Sequence, residues 1–201
     1  TTDIASTTYT YDKSGNLLTA GTASYIWDWR DRLTSSGTGS ATTTYGYDQA
    51  GLRVFKTSSG ATTTFPNQYF NKKNATTTRH ILTPSGDLIA TIEGNGSATT
   101  TSYIHSDHLG GTNVTTNASS TVIEVTDYYP YGDQRINTTT GTQEQRKFTG
   151  HEYDAESDLT YAKARYYEQD IGRFLSQDPT FLAVGDTKKL VEIIDRASKR
   201  Q

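Results

Sequence analysis

The chain has 201 residues, a net charge of −3 and a mean hydropathy of −0.69, and it contains neither cysteine nor methionine. The absence of cysteine removes disulfides, thiol nucleophiles and cysteine-based zinc sites. A near-neutral balance without a basic excess argues against a nucleic-acid partner, and no apolar run is long enough for a membrane span.

Only 32% of residues are hydrophobic, but 11% are aromatic and just 20% are charged, which does not fit a disordered polyelectrolyte. The polar mass is Thr, Ser, Gly and Asn, and there are 14 Tyr. Threonine and tyrosine fit a pleated surface, so the composition predicts extended β structure with short turns and a thin core. The start, Thr1-Thr2-Asp3, has no initiator methionine, basic segment or apolar stretch, so the chain is expected to be a processed product or an excerpt.

Repeats organise the first part. Tyr9-Thr10-Tyr11-Asp12-Lys13-Ser14-Gly15-Asn16-Leu17 recurs as Tyr45-Gly46-Tyr47-Asp48-Gln49-Ala50-Gly51-Leu52-Arg53, with a looser copy from Tyr25 through Trp27-Asp28 to Leu33. Each unit reads as strand, turn, strand. The Y-x-Y pair puts two rings on one face, Asp opens the turn through its own backbone, and Gly supplies a positive φ. Thr-Ser-Gly-Ala tracts such as Ser35–Ser40, Ser58–Ala61 and Gly94–Ser97 read as exposed hairpin tips leading into threonine-rich strands. Arg79–Thr83 and Asp87–Ile92 flank a Pro84-Ser85-Gly86 turn, and Tyr103-Ile104 and Thr121–Val125 read as further strands. Nearly everything before Thr187 is therefore expected to be strand or turn. Beyond it, Leu190, Ile193, Ile194 and Ala197 follow helical spacing after the capping residues Asp186 and Thr187 and predict a helix over about 187–200.

Few residues suggest chemistry. His105, Asp107 and His108 have the donors for zinc, but on a strand His105 and Asp107 share a face that His108 does not, and a hairpin turn with Asx hydrogen bonds fits the same residues. The recurring tyrosines fit cross-strand packing better than carbohydrate binding, because they recur at one repeat position. Asn74, Asn95, Asn113, Asn117 and Asn137 stand in Asn-x-Ser/Thr sequences, which a threonine-rich chain contains by chance. No phosphate-binding glycine loop, G-x-S-x-G or H-E-x-x-H is present, and no cofactor or metal is expected.

Three ordered stretches carry a resemblance. They are Tyr103-Ile104-His105-Ser106-Asp107-His108-Leu109-Gly110, Asp127-Tyr128-Tyr129-Pro130-Tyr131-Gly132, and Phe148-Thr149-Gly150-His151-Glu152-Tyr153-Asp154 running through Ala164-Arg165-Tyr166-Tyr167 to Gln177-Asp178-Pro179. With the tyrosine-aspartate units they resemble the RHS and YD-repeat family and its repeat-associated core domain. The resemblance implies a mainly β fold, a YD-repeat strip wound into a shell, with one short C-terminal helix. It implies a strip over residues 1–100, a core over 101–182 and a helical segment over 183–201. Members include bacterial RHS toxins, the C components of insecticidal toxin complexes and animal teneurins. In the bacterial toxins the shell encloses a C-terminal polypeptide toxin, and in many members the core is a self-cleaving aspartyl protease.

Arg165 and Asp178 match the family's A-R-Y-Y and D-P positions and carry over as catalytic residues. From the residues alone, a structural ion pair at the end of a sheet fits them better. After Pro179 this chain departs from the family's I-G-L-x-G-G, and the second carboxylate that aspartyl chemistry requires has no match here. Asp154, Asp158 and Asp170 are near in sequence, without any reason to sit beside Asp178. The chain is therefore expected to be a structural shell segment of a secreted or cell-surface protein rather than an enzyme. Its partners would be upstream and downstream parts of the same polypeptide, including a toxin cargo, or copies of itself. Two alternatives remain open: a self-assembling extracellular fibre or adhesion subunit, and an aspartyl self-cleaving core within a longer parent.

Overall fold

The computed structural model describes residues 7–178 and residue 191. Fourteen strands form one sheet, each hydrogen-bonded to its neighbours in sequence. They are β1 (Tyr9–Tyr11), β2 (Leu17–Ala20), β3 (Ala23–Trp27), β4 (Leu33–Thr38), β5 (Ala41–Tyr47), β6 (Arg53–Ser58) and β7 (Ala61–Asn67), then β8 (Phe70–Lys73), β9 (Thr76–Leu82), β10 (Leu88–Asn95), β11 (Ala98–Ser106), β12 (Thr112–Asn117), β13 (Val122–Tyr128) and β14 (Gln134–Thr139). At the usual strand spacing such a strip is about 60 Å across. A second sheet follows, β15 (Glu152–Asp154), β16 (Leu159–Tyr161), β17 (Tyr166–Glu168) and β18 (Arg173–Phe174), also in sequence order. The mainly β expectation holds. The sheet runs unbroken through β11, so the motif-bearing stretch from Tyr103 to Thr139 is wall and the second sheet stands apart from it. The helix expected over about 187–200 lies outside the described residues, apart from Val191.

One turn geometry recurs along the strip. At Asp12, Asp28, Asp48, Thr83, Asp107 and Tyr129, the first residue's N–H donates to the carbonyl four residues on, and its carbonyl accepts from the N–H three residues on. Position +3 has positive φ, from +56° at Asp31 to +95° at Gly86 and Gly132. Asp is suited to the first place because its carboxylate closes the loop: Asp107 Oδ1 accepts from the N–H groups of Leu109 and Gly111, each at 2.8 Å. Pairing register shifts just before several of these turns, at Thr10/Tyr11, Ile26/Trp27, Gly46/Tyr47 and His105/Ser106, so each shift is a bulge that strengthens local twist. The opposite ends of the strands are joined by two-residue turns, Gly39-Ser40, Ser59-Gly60, Asn74-Ala75 and Gly96-Ser97. These tips are narrower than the sequence predicts. Ser35, Ser36 and Gly37 are in β4, with Ser36 buried, because two-residue turns of positive φ match strand twist.

Side chains alternate as strands require. In β5, Thr43 and Tyr45 are buried while Thr42 and Thr44 are exposed; in β9, Thr78 and His80 are buried and Arg79 and Ile81 are not. Five residues after the opening residue of the first five turns comes a buried position, Leu17, Leu33, Arg53, Leu88 and Thr112, while Gln134 after the Tyr129 turn is half-buried. The apolar core is small and joins both sheets, with Leu17, Tyr25, Leu33 and Tyr45 from the strip against Leu159, Tyr161, Tyr166 and Leu175. Elsewhere the covered face is mostly polar, including Thr63, Asn71, Thr78, Thr91, Ser102 and Thr115, with Leu88, Ala90 and Ile104 among the buried apolar residues.

Asp107→Ala strips two acceptor contacts from the β11–β12 turn and is expected to cost about 1–2 kcal/mol in urea unfolding, whereas Asp107→Asn, which keeps an acceptor oxygen, costs less.

Candidate functional site

The segment from 143 to 178 returns across the strip: residues 144–147 touch strands from β8 to β13, and residues 152–175 then meet β6, β5, β3 and β2 in reverse order. Near its start Lys147 Nζ pairs with Glu124 of β13 and lies 3.4 Å from Thr126 Oγ1. Thr112 Oγ1 of β12 donates to the Arg146 carbonyl at 2.7 Å, and Thr91 Oγ1 of β10 donates to Glu144 at 2.5 Å. Asn71 Nδ2 of β8 donates to Gln145 at 2.9 Å. The line continues through Arg53 and Lys56 of β6 to Tyr45 of β5, whose hydroxyl donates to Ser157 at 2.9 Å. Tyr25 of β3 donates to Glu168 at 3.1 Å, and the Leu17 N–H of β2 donates to the Leu175 carbonyl at 2.8 Å. The returning chain is thus stitched to the wall from β13 to β2. Tyr128 and Phe148 add a tilted ring pair 5.6 Å apart at the β13 end.

The densest charge lies at Arg53. Its side chain is 1% exposed and lies between rings, with Cζ 4.4 Å from the Tyr161 centroid and 4.5 Å from that of Phe65. Nη1 pairs with Asp154, Nη2 donates to Glu152 at 2.6 Å, and the backbone N–H donates to the Tyr161 hydroxyl at 2.9 Å. Lys56 Nζ bridges Asp154 and Glu156, each at 2.8 Å. Burial alone would favour neutral arginine, but the Asp154 carboxylate beside it outweighs that and holds Arg53 firmly charged. Burial would also raise Glu156, yet Lys56 overrides it and holds that carboxyl down at about 2. Tyr45 is pushed up to about 12 by burial and the Asp154 charge.

A second buried cluster surrounds Glu124. Its Oε2 accepts from the Glu144 N–H at 2.9 Å and from Thr115 Oγ1 at 3.3 Å, while Oε1 meets Lys147. Burial raises the Glu144 carboxyl although Thr91 and two backbone N–H groups hold it. Burial also lowers His80 to about 3, keeping its ring neutral.

The residues singled out in the sequence fall in separate places. Arg165 and Asp178 come together, Nη2 to Oδ2 at 2.9 Å, with the guanidinium 3.7 Å above the Phe174 ring. Asp154 is committed to Arg53 and Lys56. Asp158 accepts from Tyr153 at 2.5 Å and from Gln169 at 2.9 Å. His105 meets Thr116 Oγ1 at 3.1 Å while Asp107 closes its turn, so this stretch is used as a hairpin. Among the described residues no three His, Asp or Glu side chains converge as metal ligands. Of the repeat tyrosines, Tyr25 and Tyr45 lie in the core, Tyr9 and Tyr47 pack against it and Tyr11 is exposed; Tyr45 stands 4.9 Å from Tyr166. The Arg53 and Glu124 clusters were not singled out in the sequence. Arg53 carried a readable signal, since it stands where Leu17 and Leu33 stand in the sister repeats. Its partners are about 100 residues away and leave no local pattern.

A continuous strip of antiparallel strands, covered by its own returning chain, defines a shell-wall protein of the repeat type. The sequence profile of the Teneurin YD-shell family matches residues 1–196, and the chain belongs to that family. It is 30% identical over 193 residues to the tRNA3(Ser)-specific nuclease WapA of Bacillus spizizenii, covering 88% of this chain and 8% of that protein. In structure it is similar to the TcdB2–TccC3–Cdc42 complex, with a TM-score of 0.71 at 19% identity over 85% of this chain and 10% of that one. The Photorhabdus luminescens Tc holotoxin pore gives a TM-score of 0.62 at 19% identity over 84% of this chain and 9% of that one. No described helix is long and apolar enough to cross a membrane.

Asp154→Ala leaves Arg53 buried without its main partner and is expected to lose about 3–5 kcal/mol by denaturant unfolding. The double variant Arg53→Met, Asp154→Leu is expected to lose clearly less than the sum of the two single changes.

Proposed function

We propose that this chain is the closing section of the wall of a secreted shell, and that the shell sequesters a toxic polypeptide from the same protein. The observation that carries this reading is the stitching of residues 143–178 across the strip from β13 to β2, which turns an open sheet into a wall with a plug. A wall of this kind works by exclusion. Strand pairing satisfies the backbone, which leaves few free edges for aggregation. A largely polar covered face offers little apolar surface on which cargo could collapse. The nuclease name of the Bacillus relative and the toxin complexes among the similar structures support a toxin as cargo. The chain spans about 8% of that relative, so an enclosing shell requires the remainder of a longer protein.

The Arg165–Asp178 pair supports a second role, in the longer protein. Asp178 lies just past the second sheet, and Arg165, itself over the Phe174 ring, holds its carboxyl at 2.9 Å. In this reading Asp178 supplies one carboxyl of a self-cleaving aspartyl pair and Arg165 positions it, with the second carboxyl coming from another part of the protein. The wall segment itself is structural.

In the longer protein, Asp178→Asn is expected to leave the chain uncleaved on a denaturing gel, while the wall stays folded and still shields the C-terminal segment from added protease. Unchanged processing would remove Asp178 from the chemistry. Ready digestion of the C-terminal segment in the intact shell would sink the enclosure reading.

A further inference from the structure

Glu168 sits where the returning sheet meets the first strands of the wall. A cleft of about 500 Å³ opens there between the two sheets. The wall lines it with Tyr9 and Tyr25 and with small residues such as Ala23 and Gly37, and the returning segment contributes Glu156, Asp158, Glu168 and Asp170. Among the described residues no Lys, Arg or His lines this cleft. Lys56, on a neighbouring strand, reaches Glu156. Asp158 is held by Tyr153 and Gln169. Asp133, from the β13–β14 turn, adds its charge to the field at Asp170. The hydrogen bond across this part of the seam is Tyr25 OH to Glu168 Oε2 at 3.1 Å. Carboxylates therefore gather at a joint between two sheets with no cation among the lining side chains, and Arg173, the β18 strand partner of Glu168, is exposed.

We propose that this seam is a pH-sensitive latch, in which the returning sheet grips β3 in mildly acidic medium and loosens above neutrality. The inference goes beyond the shell reading and stands without it, since it rests on the contact between the two sheets. Closing the seam removes water from Glu168, which already lies near Asp170 and Asp158 on the returning segment, so the docked state favours the neutral acid. Burial, helped by those two charges and opposed by the Tyr25 hydrogen bond, raises Glu168 from 4.5 to about 7. The docked form therefore holds the extra proton between those values. Its contribution is complete below about 4.5, falls as pH rises and is gone above about 7. Elsewhere at the interface burial also raises Glu144 and lowers His151, and the Glu168→Gln comparison separates their pH response from that of the latch. Glu156 stays ionised down to about 2, and His80 is neutral above about 3.

Hydrogen exchange of the 201-residue chain between pH 5 and 8 tests the latch. Amides of β15–β18 are corrected for intrinsic rates and referenced to those of β9–β11 in the same molecule. Opening of β15–β18 is expected to rise by a factor between ten and on the order of a hundred across this range. Glu168→Gln, which cannot ionise, is expected to stay closed throughout. Tyr25→Phe, which removes the bond favouring the carboxylate, is expected to move the midpoint upward. A pH slope in Glu168→Gln equal to that of the unaltered chain would overturn the proposal, as would no excess opening in the unaltered chain. If Glu168→Gln does not fold, judged by circular dichroism, Tyr25→Phe decides: an unmoved midpoint refutes the latch.

Discussion

The buried guanidinium of Arg53 is the constraint on which the joint between the two sheets depends. An arginine at 1% side-chain exposure is costly unless every charge is met, and the wall cannot meet it. The anions come from Glu152 and Asp154, about a hundred residues later. β15 must therefore lie against β6, which fixes where the second sheet begins. From that point β16 and β17 bring Tyr161 and Tyr166 onto the Tyr45 face, and the chain then runs on to Leu17. A shift of one residue in β15 would turn Asp154 away from Arg53, since strand side chains alternate. The cluster therefore gains register more than net stability, in keeping with the near balance of desolvation and attraction in buried pairs.

The same logic explains why so much of the interface is polar. A strip of this width cannot cover its inner face with the few apolar residues available, and its core is confined to β2–β5. Beyond that, the Thr, Asn and Glu side chains of β8–β13 hydrogen-bond the returning chain. Each bond adds little on its own, because water would serve as well in the open form. Left unmatched after docking, each would cost more, so a polar face rejects wrong alignments better than a greasy one. Beside Glu168 the interface instead leaves a cleft lined by carboxylates, and there it becomes responsive to protons.

Repeated units make the wall and unique residues make the joint. The turn at Asp12, Asp28, Asp48 and Asp107 is the same backbone object each time, and it delivers a buried side chain at +5. Leucine there builds core at Leu17 and Leu33, arginine builds the ionic joint at Arg53, and threonine hydrogen-bonds the Arg146 carbonyl from Thr112. Function is thus specified by what occupies one repeat position, without any change in the scaffold that presents it.

The sequence alone determined the strands, the Asp-led turns and the β class, because period-two alternation, Asx hydrogen bonding and positive-φ glycines act within a few residues. It also brought Arg165 and Asp178 forward as a pair through matching motifs. Hairpin tips were read too wide, because Ser and Gly in β4 resemble a loop until a neighbouring strand buries them. The Arg53, Glu124 and Glu168 joints were invisible, as each pairs residues from 20 to more than 140 positions apart. Those partners are chosen by how far the strip curves and by the line along which the chain returns. Curvature accumulates from small twists at every strand, so only the tertiary structure decides which residues end up facing each other.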